Sequence, residues 1–145
     1  MNIVADMKMV QDMVRKFHKV IDSEIEILGD STRFLMGGFS QGGFMSSCIW
    51  KSYPRTLGGL ILYSSPVAKN ILAGPEQEYS PVLWTHGLDD ILVLYRHGEY
   101  CNYTLDNKKR KFVHIKRDGL GHGVDQVVQI ETKAFLEEIL LKPRL

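Results

Sequence analysis

Apolar residues near the start recur every three or four positions: Val10, Met13, Val14, Phe17, Val20, Ile21 and Ile25, with Lys16, Lys19 and Glu24 between them. That spacing predicts one long amphipathic helix. Gly29 supplies a C-terminal stop, and polar Asp30, Ser31 and Thr32 follow. The pattern then changes to short, continuous apolar runs: Phe34-Leu35-Met36, Leu60-Ile61-Leu62-Tyr63, Val82-Leu83-Trp84-Thr85 and Phe112-Val113-His114-Ile115. Runs of this kind suit strands buried on both faces. Helical patterns lie between and after them, at Phe44–Tyr53 (stopped by Pro54), at Tyr95–Leu105 despite Gly98, and at Gln126–Leu141, with Val127, Ile130, Ala134 and Phe135 expected toward the core. The stretch with Pro66, Gly74 and Pro75 reads as a loop. Strands alternating with helices imply an α/β fold, a mostly parallel sheet with helices on both faces. No repeat or linker divides the chain, so residues 1–145 are expected to form one domain.

Composition narrows the function classes. Of 145 residues, 44% are hydrophobic and 24% charged, which excludes wholesale disorder. Lys and Arg (18) nearly balance Asp and Glu (17), so charge offers no case for binding nucleic acid or an anionic membrane. No apolar run approaches the roughly 20 residues of a membrane span, and the start, with Asp6, lacks a signal-peptide core. Cys48 and Cys101 have no neighbouring Cys or His at ligand spacing, which argues against a zinc site or a disulfide framework. A reducing, cytoplasmic location is expected.

The chemistry concentrates after the first strand. Gly38-Phe39-Ser40-Gln41-Gly42 fits G-x-S-x-G, the nucleophile elbow in which a sharp strand-to-helix turn strains the serine backbone. Glycine at 38 and 42 would relieve the crowding two positions either side. The following helix aims free N–H groups at the turn, and the Gln41 N–H is expected to be one oxyanion donor. A plain turn or a phosphate loop is the competing reading, although no P-loop lysine or G-x-G-x-x-G is present.

A serine needs a base, and the base needs an orienting acid. His86-Gly87-Leu88-Asp89-Asp90 ends the third strand, and Gly119-Leu120-Gly121-His122-Gly123 follows the fourth. Both sit where parallel strands present their carboxyl ends, the edge at which α/β sites form. Ser40, then Asp89 or Asp90, then His122 is the chain order of such hydrolases. The other histidines are poorer bases: His18 and His97 fall in helical patterns and are expected at the surface, His114 lies mid-strand, and His86 suits a structural hydrogen bond. Cys48 reads as packing.

These residues resemble the acyl-protein thioesterase and carboxylesterase family of α/β-hydrolases. The resemblance rests on Gly37-Gly38-Phe39-Ser40-Gln41-Gly42-Gly43 for its G-G-F-S-Q-G-G, on His86-Gly87 with Asp90 and Val93 for its H-G-x-x-D-x-x-V, and on Gly119 with His122 for its G-x-x-H. It implies hydrolysis of carboxylic esters or thioesters through an acyl-serine, without metal or organic cofactor. It also implies roles: Ser40 as nucleophile, Asp90 as orienting acid and His122 as general base. The implied substrates are S-acylated proteins, lysophospholipids or small esters. Gly123 stands where the family usually has Ser.

By the same resemblance the chain begins near the helix before the elbow. The family's first strands, and an early glycine-rich segment that supplies a second oxyanion N–H, have no counterpart. The Phe34–Met36 strand is therefore expected at a sheet edge, covered by further N-terminal residues, by a second copy or by another chain. Two other readings compete with the esterase: a hydrolase-derived structural subunit of weak or no activity, and a serine peptidase.

Overall fold

A computed structural model describes residues 7–141. Four helices and four strands follow in chain order: α1 (Met7–Leu28), β1 (Leu35–Phe39), α2 (Gln41–Ser52), β2 (Gly59–Tyr63), β3 (Val82–Gly87), α3 (Tyr95–Asn102), β4 (Phe112–Arg117) and α4 (Gln126–Leu141). The strands form one parallel sheet in the order β1-β2-β3-β4. α1 ends at Gly29, which takes φ 74° and returns its N–H to the Ile25 carbonyl at 2.8 Å.

Alternation along the strands sorts side chains into two cores. Leu60, Leu62, Val82 and Trp84 pack with Ile21 and Ile25 of α1 and Ile49, Trp50 and Tyr53 of α2. Ile61 and Leu83 face the opposite way, onto Phe135 of α4, with Val113, Ile115 and Ile139 around them. The sheet thus carries helices on both faces. The long β2–β3 connection is held by buried Gln77, whose amide donates to the Tyr53 and Arg55 carbonyls and accepts from the Leu57 N–H.

Five expectations need correction. The first strand is Leu35–Phe39 rather than Phe34–Met36: Phe34 closes a short 3-10 turn, and its carbonyl accepts from Gly58. That strand is also half-exposed, because it lies at the edge of the sheet. α4 has the expected bounds but a different inner face. Val128, Thr132 and Phe135 are buried, whereas Val127, Ile130 and Ala134 are exposed. The helix is apolar on two sides, and Thr132 satisfies its hydroxyl locally, donating to the Val128 carbonyl while accepting from Tyr63. His18 does not simply face solvent, since it lies half-buried against α2, 3.2 Å from the Ile49 carbonyl and edge-on to Tyr53. Finally, the Tyr95–Leu105 helix tightens to a 3-10 turn over Tyr103–Leu105.

Candidate active site

Ser40 joins β1 to α2 with φ 54° and ψ −122°, a conformation that a non-glycine residue adopts only when its surroundings enforce it. Its N–H donates to the Tyr63 carbonyl at 2.9 Å, extending the β1–β2 ladder into the turn. The steric reason for the glycines differs in part from expectation. A Cβ on Gly38 would run into the Gly42 backbone, but one on Gly42 would meet nothing within 4 Å. The second tight position is Gly43, where a Cβ would lie 2.6 Å from the Ser65 side chain. Ser46 ties α2 back to the turn by donating to the Gly37 carbonyl at 2.9 Å. Gln41 opens α2, so its backbone N–H belongs to the first-turn donors that have no intrahelical acceptor.

Asp90 and His122 follow the carboxyl ends of β3 and β4. Asp90 is fully buried, and its Oδ1 accepts the backbone N–H groups of Leu92 and Val93 at 2.9 and 2.8 Å. Its Oδ2 accepts from His122 Nδ1 at 2.8 Å. Asp89 is exposed, so between the two adjacent acids it is Asp90 that meets the histidine. Burial alone would raise the Asp90 carboxyl. The hydrogen bond from His122 and those from the Val93 and Leu92 N–H groups outweigh it, and the pKa lies below the ordinary carboxylate value. With Nδ1 bound to a carboxylate, the free Nε2 of His122 is the nitrogen left for proton transfer.

Backbone contacts lock the two loops together. Asp89 N–H donates to the Leu120 carbonyl at 3.1 Å, and a Cβ on Gly87 would collide with the carbonyls of Leu120 and Gly121. Ser64, buried with φ 49° at the end of β2, donates its hydroxyl to the Gly123 carbonyl at 3.3 Å. Nothing in the sequence pattern marked Ser64 for this. Phe39 brings the elbow to His122, its ring centroid 4.7 Å from that of the imidazole. The residue before Ser40 therefore touches the histidine, while the Ser40 hydroxyl neither caps α2 nor bonds to His122. Among the described residues no group of three His, Cys, Asp or Glu side chains could hold a metal ion, and no helix is long and apolar enough to cross a membrane.

The chain as a whole has counterparts among known proteins. A profile described as phospholipase/carboxylesterase matches residues 1–140. The chain belongs to the phospholipase/carboxylesterase family. It is similar to carboxylesterase SOBER1 of Arabidopsis thaliana, 32% identical over 123 residues covering 82% of this chain and 54% of that protein. Acyl-protein thioesterase 1 of Gibberella zeae is 28% identical over 130 residues, covering 86% of this chain and 55% of the relative. The crystal structure of Arabidopsis thaliana SOBER1 superposes with a TM-score of 0.81 at 28% identity, over 90% of this chain and 64% of that one. The fold is that of the α/β-hydrolase esterases, and the chain spans about half the length of the curated relatives it matches.

Proposed function

We propose that the chain carries the catalytic residues of a serine hydrolase that cleaves carboxylic esters or thioesters. The observation behind this reading is the 2.8 Å contact between His122 Nδ1 and buried Asp90 on the edge that also presents the strained Ser40 turn. Ser40 Oγ attacks the acyl carbonyl as His122 Nε2 takes its proton. Asp90 holds the Nδ1–H and stabilises the imidazolium that forms. The oxyanion meets the Gln41 N–H at the positive end of α2. His122 then gives its proton to the departing alkoxide or thiolate, leaving an acyl-serine that a water molecule hydrolyses by the same steps in reverse. This acyl transfer needs no metal or organic cofactor.

Acyl substrates of the kind carried by S-acylated proteins or lysophospholipids suit the exposed apolar side chains of Leu88, Ile91 and Leu92 in the loop around Asp90. Cys48, free and buried, fits a reducing cytoplasmic location. The outer edge of β1, with Gly37 and Phe39 exposed, has no strand beside it among the described residues. We place a covering strand there, from further residues, a second copy or another chain, and a second oxyanion donor with it. Hydrolysis of a p-nitrophenyl ester and of an acyl thioester, beside a peptide amide of the same acyl group, tests the reaction class. Ester and thioester turnover that Ser40→Ala removes is the expected result. Amide cleavage of equal rate would favour a peptidase, and turnover untouched by Ser40→Ala would overturn the reading.

A further inference from the structure

His86 shares the buried carboxylate with His122. Its Nε2 lies 2.8 Å from the Val93 carbonyl and 3.3 Å from Asp90 Oδ2, the same oxygen that His122 holds from the other side. Its Nδ1 faces the indole N–H of Trp84 at 3.3 Å. An indole nitrogen can only donate, so Nδ1 must be the bare nitrogen of the ring and the proton must sit on Nε2. That proton is directed to the Val93 carbonyl, with Asp90 beside it. Trp84 is itself held by the stacked His114 ring, 3.7 Å away centroid to centroid. Gly98 of α3 leaves the space, since a Cβ there would come within 2.9 Å of the His86 ring and 3.2 Å of Trp84.

We propose that His86 is a positioning residue, kept neutral with its proton on Nε2 by the Trp84 indole, that fixes the Asp90–Val93 turn and thereby aims Asp90 Oδ2 at His122. The inference rests on the reading of Asp90 and His122 as acid and base. It gives one physical reason for the spacing of His86, Asp90 and Val93: a ring nitrogen at the end of β3 reaches the carbonyl of Val93, whose own N–H grips Asp90 Oδ1. Neutrality matters because a protonated His86 would be a second cation competing for the carboxylate. Burial pushes the His86 pKa down; the Val93 carbonyl and Asp90 oppose this in part, and a charged His122 lowers it further. The imidazolium of the reaction thus keeps Asp90 to itself.

Three measurements on the full chain test this. First, the 15N shifts of His86 in the unmodified protein report its tautomer directly. A proton on Nε2 is expected, and a proton on Nδ1 overturns the proposal. Second, the low-field proton of His122 Nδ1, assigned by its loss in His122→Ala, should weaken or vanish in His86→Leu and persist in His86→Gln, whose amide N–H can reach Val93. Neither readout requires turnover, so an inactive chain would count against the proposed function without deciding this point. Third, kcat for ester hydrolysis should fall about 10- to 100-fold in His86→Leu with KM within about twofold, the cost of a loosened catalytic geometry. Glutamine should restore most of it. If His86→Leu does not fold, His86→Phe, which keeps an aromatic ring and removes both ring nitrogens, should show the same loss of the His122 signal. An unchanged His122 signal and unchanged kcat in a folded His86→Leu or His86→Phe protein would overturn the proposal.

Discussion

The two halves of the site are built to different degrees of completeness. At the ends of β3 and β4, both carboxylate oxygens of Asp90 are engaged, its carboxylate is out of contact with water, and the loops that carry it and His122 are joined by backbone contacts. At the end of β1, the backbone is shaped with equal care, but the Ser40 hydroxyl does not cap α2, and no described strand lies on the outer side of β1. The Asp90–His122 half is closed on itself, whereas the Ser40 half has one flank unfilled among the described residues. The elbow can nonetheless hold its strained turn, because its restraints come from the inner side: the Tyr63 carbonyl, Ser46 and the close approach of Gly38 to α2.

The chemical contrast gives the largest expected effect. Asp90→Asn should lower kcat about 10³- to 10⁴-fold, since an amide cannot hold the Nδ1–H tautomer of His122 as a carboxylate does. Asp89→Asn, on an exposed side chain, should stay within about threefold, as measured by ester hydrolysis with both proteins at saturating substrate. Equal losses would mean that the two loops are not organised as described.

A smaller effect separates the glycines of the elbow. Gly38→Ala drives a methyl group into the Gly42 backbone and should cost about 3 kcal/mol or more in urea unfolding. Gly42→Ala meets open space inside α2 and should be neutral or stabilise by up to about 1 kcal/mol. A reversed order would show that the turn is not held from its inner side.

Much of this was legible in the amino-acid pattern, and the failures have identifiable causes. The β–α order could be read because apolar runs and periodic stretches alternate with few exceptions, and the bounds of α4 were visible at both ends. Its inner face was not. Val127, Ile130 and Ala134 form one apolar stripe, Val128, Phe135 and Ile139 another, and periodicity cannot choose between them until Ile61 and Leu83 of the sheet select the second. The open side of β1 left its residues half-exposed although the run itself reads as a buried strand. In the site, the H-G-x-x-D-x-x-V resemblance selected Asp90, the acid that meets His122, over Asp89. Ser64 and Trp84 carry no local signature, because what they hold lies on a different loop or behind the strand.

A third prediction, smaller than the glycine effect, concerns the aromatic wall behind the acid. Burial, with added repulsion from Lys116 and His86, lowers His114 to about 4. The unfolded chain, with histidine near 6.5, binds that proton more readily. The folded state therefore has its full stability above about pH 6.5 and loses it as pH falls toward about 4, by up to about 3 kcal/mol. His114→Phe keeps a ring to stack on Trp84 and removes the titration. Urea midpoints measured at pH 7 and pH 4.5 should draw closer together in that variant than in the parent. An equal separation in both would place the acid sensitivity elsewhere.

Reaction with a fluorophosphonate, followed by intact mass and peptide mapping, tests most directly whether the closed acid–base half serves Ser40. The account predicts a single adduct, on Ser40, absent in Ser40→Ala and formed far more slowly in Asp90→Asn. An adduct on any other residue, or labelling of Ser40 at an unchanged rate when Asp90 is replaced, would contradict it.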